Sequence, residues 1–377
     1  MLSLPKHLSR FVAINVNYYC GRDASAALST TFCLTQQAMK FGYWMPVFGG
    51  WLRNVEDEHM PTDWSYVKKL AQRSEALGYD LTLIAELYLN DIKGTEAASL
   101  EAWSTAAALA AVTEQLEIMV AVRPTFHNPA LLAKQAANID LIAPGRLSLN
   151  VVSSWWKDEA TKYGLHFEQH DDRYARTREW LDVVTNVWKQ DHFSYDGKYY
   201  QVADNVLQPK PAKAPFLYAG GESEAAKDLI STQCDGYVMH GDSPGQIGAR
   251  IADMRRRREQ KGLPPMKFGV AGYTIVRDNE QEVKKELDRI TNVKASAAGY
   301  GNYQQWLAGT QLEQQVSLQD YSVSNRGLRT GLTGTPAQLQ DRIGEFENVG
   351  VDFFLLQASP QLEEMERFSE AVIQVLA

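Results

Sequence analysis

The chain predicts an α/β fold, a single (β/α)8 TIM barrel, on three observations. Short apolar runs alternate with longer amphipathic stretches, the runs number eight, and neither internal repeats nor low-complexity tracts interrupt them. With 377 residues, 45% hydrophobic and 22% charged, the chain has enough apolar surface for a barrel core.

The first strand is read at residues 40–45, where Lys40-Phe41-Gly42-Tyr43-Trp44-Met45 is rich in aromatics. Pro46 closes it, because proline cannot donate to a ladder. A helix follows over 63–77. Val67, Leu70, Ala71, Ser74 and Leu77 recur at helical spacing, Thr62 and Asp63 offer the cap, and Gly78 supplies the stop. The remaining strands are expected at 80–85, 116–122, 147–152, 216–219, 236–240, 267–276 and 352–357. Late in the chain Thr335-Pro336 opens a helix that Gly350 closes. Between 295 and 333 the composition turns to Gly, Gln, Ser and Asn without a clean period. Beside a barrel mouth, such a stretch is expected to be a mobile lid insertion.

Residues 1–38 read differently. They lack period, carry Asp23 as their one acidic residue, and hold Cys20 and Cys33. The working protein is therefore expected to begin at Met39, with 39–377 as one barrel domain and 1–38 as a dispensable extension. A targeting segment and an ordered extension are the alternatives.

A net charge of −8 and a pI near 5.5 speak against binding a phosphate backbone. The arginine run at 255–258 is expected to be a solvated helix face. Cys20, Cys33 and Cys234 cannot build a disulfide scaffold, and no Cys/His spacing matches a zinc site, so no metal is expected. The same cysteine count fits a reducing cytoplasm, and no apolar run reaches the ~18 residues of a membrane span. GxGxxG, Walker, HExxH and GxSxG motifs are all missing, which shifts attention to a cofactor enzyme without a Rossmann site.

Barrel chemistry sits at strand C-termini. After the fourth strand come Asn150-Val151-Val152-Ser153-Ser154-Trp155-Trp156-Lys157-Asp158-Glu159 and then His170-Asp171-Asp172-Arg173-Tyr174. After the fifth comes Gly220-Gly221-Glu222-Ser223. Glycines there let backbone approach a ligand, Ser223 suits a helix cap, and the N–H groups of that helix start suit a phosphate. The plain alternative is an ordinary strand-to-helix turn.

Taken with Lys40 through Pro46, Thr62-Asp63-Trp64-Ser65-Tyr66, Arg123-Pro124, Gly145-Arg146-Leu147-Ser148-Leu149-Asn150 and Thr333-Gly334-Thr335-Pro336, these motifs resemble the luciferase-like flavin monooxygenases. The similarity is to their dimethylsulfone and alkanesulfonate branch, and it runs from Met39 nearly to the C-terminus. It implies reduced FMN (FMNH2) delivered by a separate NAD(P)H:FMN reductase, O2 as oxidant, a small organosulfur substrate, oxidation with C–S cleavage, and a homo-oligomer. Related alternatives are an alkanesulfonate or pyrimidine-type oxygenase, and a flavin-binding barrel without turnover.

By that resemblance Asn150 meets the polar edge of the flavin. Arg173, Tyr174, Ser223 and the backbone of Gly221 and Glu222 hold its phosphate end, and Glu159 lies near the ring. A non-prolyl cis bond beneath the ring falls at Val120-Ala121. Alkanesulfonate enzymes place an Arg and a His on the seventh strand, where this chain has Ala271 and Tyr273, so a neutral substrate is implied. Glu86, His240, Tyr273 and the lid residue Arg326 are the candidate catalytic groups. Arg329 is a second lid arginine, and His127 is expected to be structural. Trp44, Phe48, Trp51, Trp155 and Trp156 are expected to wall a dry cavity.

Overall fold

The computed structural model describes residues 38–376. The expectation of a dispensable extension, and with it Cys20 and Cys33, lies outside the described residues up to residue 37. Within them run twelve strands: β1 (Lys40–Trp44), β2 (Leu81–Ile84), β3 (Glu117–Val122), β4 (Leu147–Val151), β5 (Phe193–Asp196), β6 (Gln201–Asn205), β7 (Phe216–Ala219), β8 (Gly236–Met239), β9 (Lys267–Tyr273), β10 (Ile275–Val276), β11 (Thr333–Gly334) and β12 (Phe353–Gln357). Eight of them close a parallel barrel in the order β1-β12-β9-β8-β7-β4-β3-β2.

All eight expected strands are present, and two details differ. The run 267–276 breaks at Thr274, whose N–H donates to the Gln357 carbonyl at 2.9 Å. Beyond the break, β10 leaves the barrel to pair with β11. A hairpin, β5 and β6, interrupts the crossover after β4. Its Asp196-Gly197 corner is a hairpin signal that the strand-by-strand reading passed over.

The helices are α1 (Trp64–Ala76), α2 (Ala102–Val112), α3 (Pro129–Ile142), α4 (Lys157–Lys162), α5 (His170–Lys189), α6 (Glu224–Gln233), α7 (Pro244–Gln260), α8 (Glu280–Thr291), α9 (Tyr303–Gly309), α10 (Leu318–Ser322), α11 (Pro336–Val349) and α12 (Gln361–Phe368). Local signals set their starts. The Asp63 carboxylate accepts from the Tyr66 N–H at 2.8 Å, and Gly350, with φ of 97°, ends α11 in the left-handed region. No helix among the described residues is long and apolar enough to cross a membrane.

Strand side chains alternate between two cores. Ile118, Val120, Leu147, Leu149 and Phe354 face the helical ring. Leu81, Leu83, Met119, Tyr218, Val238, Phe353 and Leu355 fill the barrel itself. Bulk on one strand is matched by glycine on the next. A Cβ on Gly269 would lie 2.2 Å from the Phe353 ring, and one on Gly236 would lie 2.4 Å from Tyr218. The lower barrel is thus a packed plug, with a cavity near the strand C-termini.

The 295–333 stretch is built, contrary to its patternless composition. It holds α9, α10 and two short turns of tighter helix at 298–300 and 324–330, gathered around Tyr300, Val316 and Tyr321. Arg53 ties it down from the loop after β1. The Arg53 guanidinium stacks 3.8 Å over the Tyr321 ring, donates to the Gly299 and Tyr321 carbonyls, and pairs with Asp91 at 2.5 Å. Composition missed this order because the aromatics that form its core are irregularly spaced along the stretch, and Arg53 adds contacts from another part of the chain.

Candidate active site

A cavity of about 280 Å³, on the scale of a small-molecule site, opens over the plug. Trp44, Ala121, Asn150, Met239 and Ala271 from the strand ends line its floor. Phe48, Trp51, Leu87 and Trp155 form apolar walls, and Trp306, Leu312, Val316 and Val323 of the 295–333 stretch cover it. Trp156, also expected as wall, is fully buried behind Trp155, with which it stacks.

The register explains Asn150. Leu149 and Val151 point to the helices, so Asn150 between them points inward, opposite Ala121 of β3 and Tyr218 of β7. Its Oδ1 is buried and has no protein partner, as an acceptor waiting for a ligand N–H would be.

Around the end of β3 lies a buried charge cluster. Arg123, 2% exposed, lines the cavity. It pairs with Glu159, and its Nε lies 3.6 Å from Glu86. Glu86 accepts the Arg123 backbone N–H at 2.7 Å and lies 2.5 Å from Nε2 of His127. Two carboxylates thus face Arg123 and His127 beside the cavity, while the Arg123 Nε and Nη2 remain without a hydrogen-bond partner.

The turn after β7 carries the phosphate geometry. Gly221 has φ of 151°, which favours glycine, and a Cβ there would lie 2.6 Å from the Ala226 Cβ and 3.1 Å from the Tyr174 hydroxyl. The Tyr237 hydroxyl donates to the Gly221 carbonyl at 2.8 Å and pins the turn. Ser223 caps α6, accepting from the Ala226 N–H at 3.2 Å. The first N–H groups of α6 have no partner inside the helix, so this end suits an anion. Arg173, in the first turns of α5, lines the same side. It donates to the carbonyls of Glu168 and Gly309 at 3.2 and 3.0 Å, and its Nε has no partner. Burial pushes the Tyr174 phenol up, so it is a neutral donor here.

Opposite the turn, Glu222 pairs with Arg326 and accepts the Glu313 N–H at 3.0 Å. Burial pushes the Glu222 carboxyl up, but His240 and Arg326 outweigh it and hold the group at about 2. Burial, aided by Arg326 and opposed by Glu222, pulls His240 down to about 4, so its ring is neutral at pH 7. Asn325 and Arg326 both sit in the left-handed region, with φ of 57° and 54°. Two successive non-glycine residues there cost about 1–3 kcal/mol each and persist where surroundings over-determine them.

Most predicted site residues meet at this cavity: Glu86, Ala121, Asn150, Arg173, Tyr174, Gly221, Glu222, His240 and Arg326. Four do not line it. Val120 faces the helical ring because strand alternation turns it away from Ala121. Tyr273, the last residue of β9, is packed with Trp51, Leu52, Ile275 and Val323 rather than lining the cavity, and burial raises its phenol far above the usual range. Glu159 is fully buried behind Arg123, accepting also from the Tyr88 N–H at 2.6 Å. Ser223 caps α6 and also meets the Tyr174 hydroxyl, just outside the cavity lining. The Val120-Ala121 bond is not cis; the cis bonds among the described residues are Gln208-Pro209 and Ser359-Pro360. Arg329 is held within the lid by Asp320 at 2.8 Å, away from the cavity. His127, expected as structural, is the partner of Glu86. Sequence reading missed the Arg53–Asp91 pair and the depth of Arg123. An arginine inside Trp51-Leu52-Arg53-Asn54, directly after a strand, was the available signal.

Because Ser223 acts as a cap, Ser223→Ala is expected to destabilise the protein by about 1 kcal/mol in urea denaturation. An unchanged midpoint would show that the cap carries no weight.

A flavin mononucleotide fits these groups. The orphaned Asn150 acceptor suits the ring edge, while the tight Gly221 turn, the α6 N-terminus and Arg173 suit the phosphate. No cluster of His, Cys, Asp and Glu placed to hold a metal ion occurs among the described residues. Residues 39–352 match the family profile described as luciferase-like monooxygenase. A protein of Pseudomonas fluorescens (strain Pf0-1) named FMNH2-dependent dimethylsulfone monooxygenase is 34% identical over 362 residues, covering 91% of this chain and 96% of the relative. One of the same name from Pseudomonas putida is 34% identical over 360 residues, covering 90% and 96%. In fold, the chain is similar to DmoA from Hyphomicrobium sulfonivorans, with a TM-score of 0.73 at 18% identity over 90% of this chain and 87% of that one. It is also similar to the long-chain alkane monooxygenase LadA, with a TM-score of 0.77 at 18% identity over 90% and 91%. The chain belongs to the luciferase-like monooxygenase family.

Proposed function

We propose that this protein is a two-component FMNH2-dependent monooxygenase that oxidises a neutral dialkyl sulfone, at or next to sulfur. A separate NAD(P)H:FMN reductase supplies the reduced flavin, and the working form is a homo-oligomer. The flavin and enzyme class follow the family and the two Pseudomonas relatives. The substrate class rests on one observation, the charge balance of the cavity.

Four arginines line it: Arg53, Arg123, Arg173 and Arg326. Arg53 is paired with Asp91, Arg123 with Glu86 and Glu159, and Arg326 with Glu222. Among the described residues Arg173 alone of the four has no carboxylate partner, and it lies by the phosphate turn. With Arg173 committed to the phosphate, no cation is left over for a sulfonate, and the neutral His240 adds none. A sulfonate would be desolvated without a counter-charge, whereas a sulfone carries only dipoles.

When bound, reduced FMN supplies the two electrons that activate O2, one oxygen atom going to substrate and the other to water. The chain does the rest. Asn150 orients the ring edge, Arg173 and the Gly221 turn fix the phosphate end, and the aromatic walls with the 295–333 cover keep bulk water from the reacting centre.

With reductase, NADH and air, kcat/KM for dimethyl sulfone is expected to exceed that for methanesulfonate by roughly a hundredfold or more, the equivalent of about 3 kcal/mol of uncompensated charge. Preference for methanesulfonate would move the protein to the sulfonate branch.

A further inference from the structure

Glu222 belongs to the phosphate turn by its backbone and to the lid by its side chain. We infer that Glu222 is a positioning residue that couples occupancy of the phosphate turn to closure of the 295–333 lid. This rests on the placement of the FMN phosphate at that turn.

The Glu222 carboxylate accepts the Glu313 N–H at 3.0 Å through one oxygen and pairs with Arg326 through the other. Both partners belong to the lid. Arg173, the second phosphate-side residue, donates to the Gly309 carbonyl at 3.0 Å. Three points of the lid therefore hang on two residues of the phosphate site, across 136 positions of sequence for Arg173 and 104 for Arg326. The Arg326 end is also where the backbone is strained, with Asn325 and Arg326 in the left-handed region. The Gly241 N–H, donating to the Asn325 carbonyl at 3.1 Å, and the Glu222 carboxylate hold that strained pair from two sides. Fixing the turn with a phosphate fixes the carboxylate, and the carboxylate holds Arg326 and the Glu313 N–H, while Arg250 and Lys227 hold the Glu313 side chain.

Coupling of this kind makes the lid sense the phosphate rather than the flavin ring. The test compares oxidised FMN with riboflavin, which lacks the phosphate, both at saturation and without turnover. Hydrogen exchange of the backbone amides from 309 to 326 is the readout. In the parent, FMN is expected to slow exchange about ten-fold more than riboflavin does, within the usual range for coupled sites. In Glu222→Gln that difference is expected to shrink to within about two-fold, and Arg326→Gln should lose it equally, with no further loss in the double variant. Should Glu222→Gln fold poorly, Arg326→Gln carries the same test. A purely structural role would speed exchange equally with both flavins and leave the difference intact. A Glu222→Gln protein that kept the full FMN-specific slowing would overturn the coupling. Equal affinity of FMN and riboflavin for the parent would instead remove the phosphate placement, and the coupling with it.

Discussion

Arg173→Ala is expected to weaken FMN binding by about 3 kcal/mol, roughly a hundredfold in Kd, because charge-assisted hydrogen bonds contribute about 1.5–3 kcal/mol each. Arg173 is 6% exposed and sits over the Phe167 ring at 4.7 Å. Burial pulls its guanidinium below the usual arginine value, with Tyr174 and Glu168 opposing, yet no carboxylate neutralises it. A buried cation held only by carbonyls gains most from a dianionic phosphate, and an alanine leaves that phosphate with backbone N–H groups alone. Anaerobic titration with reduced FMN, and fluorescence quenching with the oxidised form, measure the loss. Riboflavin affinity should hardly move, since it has no phosphate to lose. A change for FMN below about three-fold would take Arg173 out of the site.

Glu159→Ala should be the most destabilising single substitution near the cavity, by about 3–5 kcal/mol, because it strands a buried charge. Arg123 would keep only Glu86, at 3.6 Å from its Nε, and the Tyr88 and Leu89 N–H groups, now 2.6 and 3.2 Å from the Glu159 carboxylate, would lose their acceptor. Glu159→Gln retains the acceptor oxygen and should cost less. Urea denaturation of both variants decides it. A loss below about 1 kcal/mol for the alanine variant would mean that the Arg123 charge is satisfied in another way. The same substitution should also disturb catalysis, since Arg123 and the loop from Glu86 onward form one side of the cavity.

Local order was legible. Eight apolar runs, the Asp63 cap, the Gly350 stop and the Gly220-Gly221-Glu222-Ser223 turn are written in neighbouring residues, so period and turn chemistry recover them. Candidate site residues expected at strand C-termini come to the cavity, as Glu86, Asn150 and His240 all line it. The errors have one physical source. In a parallel barrel both faces of a strand are buried, so β3 reads apolar along nearly its whole length, and nothing in that run says that Ala121 faces the cavity while Val120 faces the helices. Tyr273 stays out of the cavity for a related reason: the strand ends there, and the loop after β1 packs against the ring.

What only the tertiary structure decided is the pairing of charges. Glu159 meets Arg123 across 36 positions, Arg173 meets the Gly309 carbonyl across 136, and Glu222 meets Arg326 across 104. No local pattern encodes such partners, because they become neighbours only when the barrel closes and brings strand ends from the whole chain into one ring. The sequence by itself determined the barrel, the cofactor-type chemistry and the turn that suits a phosphate. Closure determined which arginine remains without a counter-ion, because a buried cation is silenced by whichever carboxylate the fold sets beside it.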